Sequence, residues 1–231
     1  MTSSRVHTWP AALALLLAAA SAARAQVTIA GPTTGHNCIP FGCILGAGTR
    51  YQQVYSAGAF AGPIDIGAIT FFLDTDEGRG NLNTGSISLY LSTTAAAVDR
   101  LNASNFDANL GPSTSLFGTY TIGGVAPTLL TFTGVPYLYD PAAGNLLLDL
   151  RVNGTLAAST SLSGYLARVN MPGGNYSRAT DFGVGSAGYG LDTRFALAAT
   201  TVPEPSAAAL LGAGLLAAAG AGARRRRSAA A

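Results

Sequence analysis

Apolar side chains recur at every second residue through much of this chain, and that period restricts its fold more than any other feature. Ile69, Phe71 and Leu73 share one face of an extended segment, with Thr70 and Phe72 on the other. Ile87, Leu89 and Leu91 alternate with Ser86, Ser88, Tyr90 and Ser92; Leu146, Leu148, Leu150 and Val152 alternate with Leu147, Asp149 and Arg151. Weaker versions run through 116–122, 129–133 and 194–197. Strands of this kind bury one face and wet the other, as antiparallel sheets do. Turn residues punctuate them at Gly78 to Gly80, Gly111-Pro112, Gly123-Gly124, Gly134 to Pro136 and Gly173-Gly174. The pattern predicts about eight to ten strands in an all-β fold, a single antiparallel β-sandwich of jelly-roll type over residues 26–199. One stretch, 95–109, is spaced for a short helix with Val98, Leu101 and Phe106 turned inward. No repeat of fixed period runs through the chain.

Charge separates the ends from the middle. Arg5, Arg24, Arg224, Arg225, Arg226 and Arg227 lie outside the alternating region, whereas residues 26–203 hold seven arginines against ten acids, a net of −3. A mildly acidic body with no basic stripe is not expected to hold nucleic acid. All 13 cationic side chains are arginine, which removes Schiff-base chemistry and any lysine base.

Both ends read as targeting segments. Arg5 precedes an apolar run from Ala11 to Ala20, and Ala23-Arg24-Ala25 has the small-x-small pattern that signal peptidase accepts. This predicts a signal peptide over 1–25, cut after Ala25 so that Gln26 leads the mature chain. At the other end a linker, 200–206, carries Pro203-Glu204-Pro205, whose prolines keep it out of helices and central strands. The uncharged residues 207–223 follow; at about 1.5 Å each they reach roughly 26 Å, near the lower limit for a membrane-spanning helix. Arg224, Arg225, Arg226 and Arg227 then open a basic tail, 224–231, that resists translocation and stays cytoplasmic. The body is therefore expected outside the inner membrane.

This three-part tail resembles the PEP-CTERM sorting signal of Gram-negative bacteria, over about thirty residues from Val202 onward. The resemblance implies that exosortase, a membrane-embedded cysteine protease, recognises Pro203, Glu204 and Pro205, removes the helix and basic tail, and passes the body to the cell surface. The body also resembles exported β-sandwich domains of surface-anchored bacterial proteins, through Tyr51-Gln52-Gln53-Val54-Tyr55, Ile69-Thr70-Phe71-Phe72, Leu89-Tyr90-Leu91-Ser92-Thr93 and Gly144-Asn145-Leu146-Leu147-Leu148-Asp149. That likeness speaks for the fold and little for an activity.

Cys38 and Cys43 flank Ile39-Pro40-Phe41-Gly42, and in an exported chain they are expected to form a disulfide, a local staple worth about 2 kcal/mol. Zinc is the weaker alternative, since it would need His36 and further ligands. Asp74 and Asp76, with Glu77, form an acidic loop that is a weak calcium candidate and lacks the spacing of an EF-hand. A Ser-His-Asp triad would rest on His36 alone, and no G-x-S-x-G motif stands near it. No catalytic residue and no cofactor is assigned. Nine tyrosines, Tyr51, Tyr55, Tyr90, Tyr120, Tyr137, Tyr139, Tyr165, Tyr176 and Tyr189, suit either a sugar-stacking surface or the margin of a core. The expectation is a non-enzymatic structural or adhesive protein of the exopolysaccharide or biofilm matrix. Signal peptidase and exosortase are its processing partners and exopolysaccharide a candidate ligand. The alternatives are a carbohydrate-binding module and, less favoured, a surface glycoside hydrolase.

Overall fold

The alternating runs become strands. In the computed structural model, residues 26–29, 33–43, 45–73, 80–157, 167–170, 174–181, 183–184 and 190–198 are described. The strands are β1 (Gln26–Ile29), β2 (Thr33–Asn37), β3 (Arg50–Tyr55), β4 (Ile64–Phe72), β5 (Thr84–Thr94), β6 (Ser115–Ile122), β7 (Leu129–Tyr139), β8 (Asn145–Ala157), β9 (Ala167–Asn170), β10 (Tyr176–Thr180), β11 (Gly183–Val184), β12 (Gly190–Leu191) and β13 (Thr193–Leu197). They form a four-stranded sheet in the order β1-β13-β4-β7, a six-stranded sheet β11-β10-β3-β8-β5-β6, and a small sheet β12-β9-β2. Every pairing between these strands is antiparallel, as the alternation predicts.

The two larger sheets enclose one apolar core, giving a sandwich-like arrangement. Ile66, Ile69, Phe71, Phe132, Tyr139 and Phe195 come from the four-stranded sheet, and Tyr51, Tyr55, Ile87, Leu89, Leu148 and Leu150 from the six-stranded one. Contacts cross the interface directly. Tyr55 meets Phe195 edge-on at 5.0 Å, and its hydroxyl pairs with Thr193 Oγ1 at 2.8 Å. Phe60 meets Tyr139 edge-on at 4.8 Å, closing the end where β3 passes to β4. Such aromatic pairs add about 0.5–1.5 kcal/mol each beyond the area they bury.

The disulfide between Cys38 and Cys43 forms, with the Cα atoms 5.0 Å apart. It closes a turn that drives Phe41 into the core against Phe71 and Phe132. Asn83 secures the turn, its backbone N–H donating to Phe41 O at 2.8 Å and its side-chain amide to Cys43 O.

At one margin the sheets meet corner to corner. Gly134 of β7 lies so close to the Phe117 carbonyl of β6 that a Cβ there would overlap it, and Tyr120 donates to Thr133 O at 3.0 Å. Nearby, β7 bulges against β4, and Pro136 lies within the bulge, as befits a residue with no N–H on an edge strand.

Two expectations need correcting. Residues 95–109 make no α-helix; the chain winds across the outer face of the six-stranded sheet and ends in a 3-10 turn, Phe106–Asn109. Leu101 and Phe106 do turn inward, but they pack on Val54, Leu147 and Ala179 in a second cluster, with Val98 at its margin. Consequently the outer face of β3 and β8 is not wet at this point: Gln52, Val54, Leu147 and Asp149 are all buried.

Candidate functional site

The outer face of the six-stranded sheet carries the most developed polar constellation among the described residues. β8 lies between β3 and β5. The register sets Arg151 opposite Arg50 on one side and Ser88 on the other, and Asp149 opposite Gln52 and Tyr90. Two arginines in direct register repel one another. Asp149, two residues from Arg151 and on the same face, resolves that conflict by accepting from both.

Asp149 is about as buried as a charge can be, its side chain 2 % exposed. A carboxylate in that position is tolerated only when paired and fully hydrogen-bonded. Arg50 donates Nε to Oδ1 at 3.1 Å and Nη2 to Oδ2 at 2.6 Å, the two-pronged geometry that suits a guanidinium. Arg151 donates Nε to Oδ2 at 2.8 Å. Arg50 then reaches Asp107 through Nη1 at 2.6 Å and lies 5.4 Å from the centre of the Phe106 ring, tying the 95–109 segment to the sheet. Burial pulls the Arg50 pKa down, but Asp149 and Asp107 outweigh it and the net shift is upward. The exposed Asp107 carboxyl is held below its usual range by the hydrogen bond and charge of Arg50.

A neutral network continues the seam. Asn109 donates to Gln52 Oε1 at 2.7 Å and Asn102 O at 2.9 Å, and Gln52 donates to Phe106 O at 3.1 Å. On the other side of Arg151 the face is bare. There Ser88 and Thr119 share a hydrogen bond of 2.9 Å, and the Asn153 amide donates to Ser88 Oγ at 2.8 Å and Ser86 Oγ at 3.3 Å. The Arg151 guanidinium lies over the half-buried Tyr90 ring, 4.1 Å from its centre. Both Asp149 oxygens are engaged by guanidinium donors, so this carboxylate holds the two arginines in place.

A second feature is an open cleft of about 390 Å³ where β6 and β7 meet, walled by Tyr120, Phe132, Leu130, Ile122 and Pro127. It has an uncharged lining.

Five tyrosines, Tyr51, Tyr55, Tyr137, Tyr139 and Tyr176, are buried in the core. Tyr90 and Tyr120 are half-buried and stand on different strands, one on the outer face and one beside the cleft. Tyr165 and Tyr189 lie outside the described residues, as do Asp74, Asp76, Ala23, Ala25, Pro203, Glu204, Pro205 and Arg224 to Arg227. The backbone of His36 is in β2, opposite Arg168 of β9. Among the described residues no three His, Cys, Asp or Glu side chains gather as a metal site would require, and no helix is long and apolar enough to cross a membrane. The span expected at 207–223 lies outside them.

The Arg50–Asp149–Arg151 cluster was not foreseen from the sequence. Its one signal is opposite charges at Asp149 and Arg151, two apart in an apolar strand, which places both on one face. Arg50 is 99 residues away from Asp149 in the chain and joins through register alone. No protein-family model, curated protein or solved structure matches the chain.

Proposed function

We propose that this chain is an exported surface protein, sorted by exosortase through Pro203-Glu204-Pro205, whose body is a non-enzymatic structural or adhesive component of the exopolysaccharide or biofilm matrix. The observation that carries the role is where the reactive and ring-bearing side chains go. A tyrosine-lined sugar groove or a two-carboxylate hydrolase needs those groups facing a ligand. Here five tyrosine rings serve the core, and Asp149 serves to hold two arginines. The disulfide supports the export part of the reading, since such bonds persist in oxidising compartments. We also read the strand order as a jelly roll, with β1-β13-β4-β7 facing β3-β8-β5-β6 and β10 and β11 extending the second sheet beyond β3.

The test is the intact mass of protein released from the surface of native cells, beside a Glu204→Ala variant. The reading expects a mature chain that starts at Gln26 and ends near Pro203-Glu204-Pro205, with the variant unprocessed. If both proteins keep residues 207–231 and remain in the inner membrane, the tail is a plain anchor and the matrix role loses its basis.

A carbohydrate-binding module is the second reading, and the bare part of the outer sheet face, around Arg151 and Tyr90, is the observation in its favour.

A further inference from the structure

We infer that the uncovered half of the outer face of the six-stranded sheet binds a carboxylated polysaccharide, with Arg151 receiving the carboxylate. The inference rests on the matrix reading above and gives that matrix a chemistry.

The face is divided. One half lies under the 95–109 segment, which packs Leu101 and Phe106 on Val54, Leu147 and Ala179. The other half carries Ser86, Ser88 and Tyr90 from β5, Thr119 and Thr121 from β6, and Arg151 and Asn153 from β8, in register across the three strands. It is a field of hydroxyls and one amide around a single guanidinium, with Leu116, opposite Tyr90, as the exposed apolar side chain at its edge.

Arg151 is held for a ligand. Asp149 fixes its Nε edge at 2.8 Å, and the Tyr90 ring supports the guanidinium plane from beneath at 4.1 Å. Among the described residues no acceptor meets either of its Nη groups, and the side chain remains one-third exposed, at 33 %. The free edge is a planar fork of N–H donors that matches the two oxygens of a carboxylate. Because the side chain is already ordered, binding costs little further rotamer entropy. Around it, Thr119, Thr121 and Asn153 are exposed and within the reach of hydroxyls on neighbouring sugar rings.

Charge selects among anions. The companion guanidinium, Arg50, is spent on Asp149 and Asp107 and is only 15 % exposed. One open cation serves a polymer with one carboxylate per sugar; a nucleic acid strand needs several. With a body of net charge −3, long-range attraction is absent and recognition depends on the local fork.

The experiment compares binding of the full-length protein in detergent to polygalacturonate and to its methyl ester, which has the same backbone without the charge. Wild type is expected to bind the acid form and not the ester. Arg151→Gln and Arg151→Lys should each weaken that binding about tenfold or more, the lysine variant because it keeps the charge and loses the fork. Arg194→Gln removes equal charge from the other sheet, where the side chain lies over Phe72, and should leave binding unchanged. Equal binding of the two polymers, equal losses in the Arg151→Gln and Arg194→Gln variants, or wild-type affinity in Arg151→Lys would each overturn the assignment. The address is judged separately by the mass measurement. A surface-released protein blind to polygalacturonate removes this site and keeps the matrix reading; binding through Arg151 by a protein confined to the inner membrane does the reverse.

Discussion

Alkali should unfold this domain through its interior tyrosines, and the composition makes the experiment clean. There is no lysine, both cysteines are in the disulfide, and arginine keeps its charge, so tyrosine is the side chain that titrates near pH 10. Tyr51 and Tyr55 are fully buried, and desolvation pushes both phenols far above their usual value of 10.0. For Tyr51 the nearby Arg178 charge opposes the shift, and for Tyr55 the hydrogen bond to Thr193 does; neither overcomes burial. Tyr139 is pushed up to about 12, first by desolvation and then by Tyr137 and Asp140. A folded-state pKa above the unfolded one favours the folded state fully below pH 10, and the benefit is lost as pH rises through 10 towards 12 and beyond. At pH 11 each tyrosine that ionises only on unfolding costs about 1.4 kcal/mol, so Tyr51 and Tyr55 together cost about 3 kcal/mol. Tyr139 adds almost as much at pH 11, and ionisation would also cost its hydroxyl the bond it donates to Gly144 O. For a chain of this size about 3 kcal/mol lowers Tm by roughly 6–12 °C. Melts followed by far-UV circular dichroism from pH 8 to 11.5, with tyrosinate absorbance at about 295 nm on the same samples, test this directly. The buried rings should ionise only as the strands melt, and Tyr55→Phe should remove about 1.4 kcal/mol of the pH dependence. Full tyrosinate absorbance at pH 11 in a protein with intact strands and an unchanged Tm would refute the reasoning.

Three further outcomes are expected. Asp149→Ala strands Arg50 and Arg151 without their shared carboxylate and should cost about 3–5 kcal/mol in urea unfolding, whereas Asp107→Ala, at an exposed position, should leave the midpoint where it is. Replacing both Cys38 and Cys43 with serine should cost about 2 kcal/mol, and Phe41→Ala, which empties the core position that the staple serves, about 3–5 kcal/mol, both read by denaturant titration. Gly111→Ala should lower Tm clearly because its Cβ would overlap the Thr93 carbonyl, while Gly46→Ala, with open space around it, should be silent.

Period and punctuation identified β4 to β8 and β13; the short strands β1, β2 and β9 to β12 carry no such pattern, and the thirteen strands described exceed the eight to ten expected. Ile87-Leu89-Leu91 and Leu146-Leu148-Leu150 can bury a common face only as extended chain, and the glycine and proline clusters leave little room for anything else between them. The five-residue spacing of Cys38 and Cys43 likewise made their bond legible, because so short a loop needs no distant partner to close. Local period does not say what lies over the opposite face. Leu147 and Asp149 read as the wet side of a strand, and they are buried because 95–109 folds back across them. The same segment read as helical because Val98, Leu101 and Phe106 have helical spacing; it makes an irregular crossing in which Gln52 of the sheet donates to Phe106 O and Asn109, within the segment, bonds the Asn102 backbone.

By itself, then, the sequence determined the long alternating strands, their inner faces and the staple, which depend on neighbours within a few residues, and the absence of lysine. Only the tertiary structure decided that Arg50 meets Asp149 across 99 residues, that Arg151 keeps an open fork above Tyr90, and that five tyrosines lie inside. Register is the physical reason. A shift of one residue in the pairing of β3 with β8 would turn Arg50 away from Arg151 and place it on the opposite face, and that pairing is fixed by the whole core at once.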